Sequence, residues 1–120
     1  MVKINGKEYT LKSDVYTLVQ FCKRINEESI TVAMAKLSKM GGPDGIRVDG
    51  VENWAAILFE MLKRGAQKTG VELDLTIEDC YETITDVDLI EEAVAIIAAS
   101  LPAPETIRKS KRSGKMKAAV

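Results

Sequence analysis

The sequence contains no histidine, and this absence limits the chemistry available to the chain. Without an imidazole, a nucleophile–base pair for covalent catalysis is hard to assemble, and one of the common zinc ligands is missing. The two cysteines, Cys22 and Cys80, have no CxxC spacing and fall on apolar faces of helical segments. We expect them to be small buried side chains, neither disulfide-bonded nor metal-bound. The chain is therefore predicted to be a non-enzyme that needs no metal or other cofactor.

Aromatic residues and long apolar runs are also scarce. Aromatics make up 5% of the 120 residues, so the core must be built mainly from aliphatic side chains. No apolar run approaches the roughly 18 residues that span a bilayer. Residues 1–6 lack the apolar stretch of a signal peptide. These features predict a cytoplasmic protein without a membrane partner, and the length corresponds to one domain.

Charge is unevenly distributed along the chain. The formal net charge is −1, but residues 103–120 hold six basic residues against Glu105, a net of +5, which leaves −6 for residues 1–102. We predict a single helical domain over residues 1–102 and a basic, disordered tail over residues 103–120. Four basic residues of this tail are candidate partner contacts: Arg108, Lys109, Lys111 and Arg112. They suit an acidic protein surface or the phosphates of a nucleic acid. The tail has no aromatic residue for base stacking, which weakens the nucleic-acid interpretation. Neither partner is favoured over the other, and a tail that only improves solubility is the simplest alternative.

Residues 1–12 carry the pattern of a β-hairpin. Asn5-Gly6 supplies two residues that accept positive φ, as a type I′ turn requires. A two-residue loop pairs Ile4 with Lys7 and places Val2, Ile4, Tyr9 and Leu11 on one apolar face. Because an isolated hairpin is only marginally stable, we expect this face to dock on the chain's own helices, or alternatively on the sheet of another copy.

The segment from about Val51 to Gln67 is predicted to be the central helix. Trp54, Ile57, Leu58, Met61 and Leu62 recur at the spacing of one helical face, and Ala55, Phe59, Leu62 and Ala66 form a second stripe beside it. Glu60, Lys63, Arg64 and Gln67 are predicted to occupy a narrow solvent-facing side. Since so wide an apolar arc needs neighbours on two sides, we place this helix at the centre of the fold.

Four further helices are predicted around it. The first follows a Ser13 cap, with Val15, Leu18, Val19, Cys22 and Ile25 buried, and the second runs from about Ile30 to Met40. Capping boxes are predicted at Asp49/Glu52, Thr76/Asp79 and Thr85/Asp88, which open the central helix and the last two helices. Val71–Leu75 is predicted to be a packed loop. The expected fold is mainly α, of the α+β type: an N-terminal β-hairpin followed by about five helices in a small bundle.

Two polar features resemble functional motifs but have simpler interpretations. The acidic residues Asp86, Asp88, Glu91 and Glu92 fall at a helix start, where anions suit the helix dipole, so we expect a solvated first turn in preference to a metal or acid–base site. The glycine-rich segment 41–45 lacks the signatures of phosphate and calcium loops and is predicted to be a connector.

Candidate partner contacts within the helices are Trp54, Phe59 and Met61. Methionine side chains repack around varied partners, so Met34, Met40 and Met61 could line an adaptable groove together with Phe59. Core packing is the favoured alternative for Met34 and Met61, which lie on the main apolar faces.

Three segments together resemble the tail assembly chaperones of long-tailed, siphovirus-type bacteriophages and prophages. They are the opening segment Ile4–Leu11, the helix Trp54–Gly65, and Leu75–Asp79 followed by Asp86-Val87-Asp88 and its apolar helix. Together they cover about two thirds of the chain, and their order and spacing carry the resemblance. The glycine-rich link at 41–50 departs from the family pattern.

The resemblance implies a small, largely helical, non-catalytic protein that acts in virion morphogenesis. Such chaperones coat the tape measure protein before the tail tube polymerises around it, and are absent from the mature virion. It further implies the bacterial host cytoplasm, contact with tail tube protein as a second partner, and self-association as an open alternative. A rival hypothesis is a small nucleic-acid-associated phage regulator that uses the basic tail.

Overall fold

The computed structural model describes residues 1–39, 41–42 and 45–101. Within these residues, a β-hairpin precedes five α-helices, which confirms the mainly α fold that the sequence predicts. In chain order the elements are β1 (Val2–Ile4), β2 (Lys7–Tyr9), α1 (Val15–Arg24), α2 (Ile30–Leu37), β3 (Gly41–Gly42), β4 (Gly45–Ile46), α3 (Val48–Thr69), α4 (Ile77–Glu82), a 3-10 turn (Thr83–Thr85) and α5 (Val87–Ser100). The predicted tail at 103–120 lies outside the described residues. No helix in the described part of the chain is both long enough and apolar enough to cross a membrane.

The N-terminal hairpin has the predicted register. Ile4 pairs with Lys7, and the two turn residues, Asn5 and Gly6, adopt φ values of 54° and 80°. The apolar face of the hairpin is buried on the chain's own helices, as expected. On the segment that follows β2, the Lys12 N–H donates to the carbonyl of Met61 on α3 at 3.2 Å.

A second connection joins the hairpin to the loop before α4. The hydroxyl of Tyr9 donates to Asp74 Oδ1 at 2.7 Å, and the ammonium group of Lys7 pairs with the other carboxylate oxygen. The bond to Asp74 is the main cause that raises the pKa of Tyr9 to about 12. Residues 71–75 form a loop, as predicted, with Leu75 buried in the core, and Asp74 of this loop connects it to the hairpin.

The first helix is capped by Asp14 and not by the predicted Ser13. The Asp14 carboxylate accepts from the Thr17 backbone N–H and from Arg64 on α3, both at 2.9 Å. Burial favours a raised pKa for Asp14, but these hydrogen bonds outweigh it and lower the pKa to about 2. Ser13 is instead buried and shares a 2.8 Å hydrogen bond with Ser100 at the end of α5. A local cap pattern cannot decide between Ser13 and Asp14, because distant partners, Ser100 and Arg64, determine which of the two side chains caps the helix.

The buried face of α1 also differs from the prediction. Val15 is 58% exposed, whereas Thr17 and Phe21, which were not assigned to the core, are buried. The buried face of α1 is therefore rotated toward Phe21, and the helix contacts both α2 and α3. The helix ends at Arg24, and Asn26, with a φ of 59°, lies just beyond it.

The second helix ends at Leu37, and part of the connector that follows it is paired as two short strands instead of forming a plain loop. Met40, the predicted helix end, lies outside the described residues, as do positions 43 and 44. Gly41–Gly42 pairs with Gly45–Ile46 in a minimal antiparallel ladder that the sequence did not predict. The connector therefore leads directly into the first turn of α3.

Helix α3 occupies the centre of the fold, as predicted, but it begins earlier than expected. Its first residue is Val48, preceded by Arg47, whose side chain pairs with Asp49 at 3.0 Å. The predicted Asp49/Glu52 capping box is therefore wrong. It ends at Thr69, close to the predicted Gln67, and Gly70 closes it with a left-handed φ of 72°.

One side of α3 that was predicted to face solvent is in fact buried at Glu60. The carboxylate of Glu60 lies 2.9 Å from the Arg24 guanidinium and 3.8 Å from the Lys63 ammonium. A carboxylate resembles a surface residue in a sequence pattern, but paired charges compensate for the loss of water here.

The last two helices have one confirmed and one corrected cap. Thr76 and Asp79 form the predicted reciprocal capping box at α4. At α5 the cap is Asp86, whose carboxylate accepts from the Leu89 N–H at 3.2 Å, so the predicted Thr85/Asp88 box is wrong. Thr85 belongs to the preceding 3-10 turn and is not available as a cap.

Candidate binding groove

An apolar groove of about 360 Å³ opens between α2, α3 and α5. From α2 it is lined by Met34, Leu37 and Ser38, and Trp54 of α3 forms its floor. Ser38 is the only residue of this set with a polar side chain. The groove therefore offers a surface that prefers apolar groups to water.

The opposite wall of the groove is the second half of α5. Val94, Ile97, Ala98 and Leu101 line it, at the spacing of successive helical turns. Ile97 is buried against the core, whereas Val94 is 49% exposed. The wall thus belongs partly to the core and partly to the surface of the protein.

The floor of the groove is held by a buried hydrogen-bond chain. Trp54 is 0% exposed, and its indole Nε1–H donates to Thr83 Oγ1 at 2.9 Å. The Thr83 hydroxyl donates in turn to the carbonyl of Cys80 at 2.6 Å. Both groups that burial removes from water are therefore satisfied, and the indole ring has a fixed orientation.

The exposed side of α5 has an unusual composition. From Ala93 to Leu101 the helix carries no charged side chain, although Val94, Ala95, Ala98 and Ala99 are exposed. A helix that is apolar on all sides is normally covered on all sides. The described chain covers only one side of α5, the side that buries Leu89, Ala93 and Ile97.

Of the predicted partner contacts in the helices, the structure places Trp54 and Met61 in the core, both at 0% exposure. In this conformation neither can contact a partner directly. For Met61 this confirms core packing, which was the favoured alternative. The four basic residues predicted to meet a partner, Arg108, Lys109, Lys111 and Arg112, lie outside the described residues.

Phe59, the third predicted contact in the helices, is half-buried and covered by charge. The Arg24 guanidinium lies 5.2 Å and the Lys63 ammonium 5.6 Å from the ring centroid. These cation–π contacts occupy the ring face, and the same two cations pair with Glu60. Phe59 is therefore part of a structural cluster that is distinct from the groove.

Neither the acidic cluster nor the cysteines assemble into a reactive site in the described part of the chain. Asp86 caps α5, and Glu92 pairs with the amino group of Met1 at 3.5 Å. No group of three or more potential metal ligands occurs among the described residues. Both cysteines are buried, as predicted, and burial raises the pKa of the Cys80 thiol to about 12.

The groove-lining residues Leu37, Val94, Ala98 and Leu101 were not predicted as a site. Val94 and Leu101 also fit the period of a buried helical face, and periodicity alone does not distinguish an apolar side chain in a core from one in a groove. The signal that could have identified them is the uncharged run of α5, which is too apolar for a helix at the surface of a domain.

Comparison of the chain with protein-family models, with curated proteins and with solved structures yields no match in any of the three.

Proposed function

We propose that this protein is a tail assembly chaperone of a siphovirus-type phage or prophage, which binds the tape measure protein without catalysis. The single observation that carries the proposal is the apolar groove between α2, α3 and α5, continued by the uncharged exposed side of α5. The resemblance of three sequence segments to this family supplies the identity of the partner.

The chemistry of the groove suits such a partner. A tape measure protein is a long amphipathic helix whose apolar stripes need cover before the tail tube encloses it. Helix-in-groove recognition places an apolar stripe into a cleft lined by apolar side chains. Here the cleft has an adaptable wall at Met34, whose flexible thioether can adjust to different side chains. The buried indole of Trp54 supports the cleft from below and does not itself contact the partner.

If many copies of the protein bind along one tape measure protein, each single contact can be weak. A groove of this size contributes a modest affinity, but sites repeated on one long partner gain from effective concentration. Release is then straightforward when tube subunits compete for the same stripe. The proposal includes the host cytoplasm as the place of action, tail tube protein as a second partner, and absence from the finished virion.

Coexpression with the tape measure protein, the long helical protein that the proposal expects to be encoded downstream, tests the proposal. The wild-type chain is expected to keep that protein soluble, and Val94→Lys is expected to abolish the effect, because it places a charge in the groove wall. Val15→Lys is the matched control, since Val15 is also an exposed valine on a helix but does not line the groove. Equal rescue by both variants would contradict the role of the groove.

A separate measurement tests the rival regulator hypothesis. DNA binding that is salt-dependent and disappears on truncation after Pro104 would favour a nucleic-acid function for the basic tail. The chaperone proposal expects no such binding, and expects solubility rescue in its absence.

A further inference from the structure

Five residues along α5 and its C-cap form a seam with the period of a coiled coil. Val87, Glu91, Val94 and Ala98 are separated by four, three and four residues, which keeps them on one face of α5, and the C-cap residue Leu101 follows three residues later. We call this set the α5 seam. Its last three members line the apolar groove, so the seam and the groove form one continuous surface.

The seam is exposed along its length. Val87 is 64% and Val94 49% exposed, and Ala98 and Glu91 are exposed as well. It runs over 14 residues of helix, about 21 Å or four turns. That length matches a partner segment of about four helical turns lying alongside α5.

Glu91 is the one charged member of the α5 seam. Among the described residues it forms no ion pair, whereas the neighbouring Glu92 pairs with the amino group of Met1. A single polar residue within an apolar seam restricts which helices can pair with it and in which register. A partner that covers the seam must therefore place a cation near Glu91.

This requirement argues against a second copy of the chain as the occupant. A parallel pair of α5 helices places Glu91 against Glu91 of the partner subunit, and like charges repel. An antiparallel pair centred on Val94 places Glu91 nearest Ala98 of the partner subunit, which offers no cation. Neither arrangement satisfies the carboxylate.

We propose that the α5 seam and the groove bind one amphipathic helix whose apolar stripe is interrupted by a single lysine or arginine that pairs with Glu91. The large apolar side chains of that helix enter the groove near Ala98, about two turns away from the cation. The ion pair sets the direction and register of the bound helix. This inference deepens the proposed function, on which it rests for the identity of the partner.

Two designed peptides provide the test. Each is a helix of 21 residues with a leucine-rich heptad seam, and one seam position carries lysine in the first peptide and glutamate in the second. Fluorescence anisotropy measures the Kd of each peptide for the wild-type chain, Glu91→Lys and Glu92→Lys. The third protein is the matched control, because Glu92 lies on the other side of α5, beside Met1 and Lys3.

We expect the wild-type chain and Glu92→Lys to bind the lysine peptide about tenfold more tightly than the glutamate peptide. Glu91→Lys is expected to reverse this preference, and Val94→Asp to abolish binding of both peptides while the melting temperature stays close to that of the wild type. A preference unchanged by Glu91→Lys would overturn the proposal.

Absence of binding by either peptide would also overturn it, as would a dimer of the wild-type chain that Val94→Asp dissociates in sedimentation equilibrium. The peptides are independent of any phage protein, so these failures are distinguishable from failure of the proposed function. Solubility rescue of the long helical protein without any peptide preference would leave the chaperone function standing and remove the role of Glu91.

Discussion

The backbone of α3 approaches the chain directly after β2 at Gly65, which packs against Thr10. A Cβ added to Gly65 would lie 2.0 Å from the carbonyl oxygen of Thr10 and 2.7 Å from its carbonyl carbon. Ordinary van der Waals contact begins near 3.4 Å, so the two segments would have to separate by about 1.4 Å, the difference between 3.4 and 2.0. Gly65→Ala is therefore a sharp test of this packing.

Two effects with opposite signs decide the result. Alanine is favoured over glycine by about 1 kcal/mol inside a helix. Against this, overpacking costs roughly 1–3 kcal/mol, and the separation breaks the neighbouring hydrogen bond from Lys12 to Met61, worth about 1 kcal/mol. We expect a net loss of roughly 2 kcal/mol in the free energy of unfolding and a melting temperature lower by roughly 8 °C.

Urea denaturation and thermal unfolding measure the effect, and Gly70→Ala is the matched control. No atom lies within 4 Å of a Cβ at Gly70, but its φ of 72° is unfavourable for alanine. We expect about 1 kcal/mol of destabilisation there, from conformation alone. A Gly65→Ala variant as stable as the wild type, or more stable, would refute the close approach of α3 and the hairpin.

Three further predictions concern buried polar groups, each measured as the free energy of unfolding. Asp14 has a pKa of about 2 in the folded protein against an ordinary 3.8. The ionised carboxylate therefore stabilises the fold above about pH 4, and this stabilisation is lost as the pH falls toward 2. Asp14→Asn should destabilise the protein at pH 7, and its difference from the wild type should disappear between about pH 4 and pH 2. Thr83→Val leaves the Trp54 N–H without its acceptor and should cost about 1–3 kcal/mol, whereas Thr83→Ser should not. Arg24→Met leaves Glu60 poorly compensated and should cost roughly 1–3 kcal/mol, part of which Glu60→Gln should restore in the double variant.

Local sequence signals predicted the elements whose cause is local. The Asn5-Gly6 turn and the Thr76 capping box each depend on residues within a few positions of one another, and both are confirmed. The central place of α3 was also predictable, because its apolar arc is too wide for one neighbour.

The incorrect predictions arise where a residue distant in the sequence determines the local structure or the burial of a side chain. Asp14 becomes the cap of α1 because Arg64, fifty residues later, pairs with its carboxylate, and Ser13 turns toward Ser100. Glu60 is buried because Arg24 reaches it from another helix. A sequence pattern contains the two members of such a pair but not the tertiary contact that joins them.

The groove shows a different limit of sequence analysis, because apolar periodicity identifies its residues as apolar but does not show that they line a groove. Val94 and Leu101 fit the apolar period of a core helix, and nothing in that period shows which apolar residues the domain itself covers. The composition of α5 contains the missing information: its last eight residues, 93–100, are all uncharged, which exceeds what one core-facing stripe requires. An exposed apolar helix face lowers the solubility of a protein, and a partner that covers this face removes the apolar surface from water. The single carboxylate of Glu91 within the otherwise apolar seam then restricts which partner can do so.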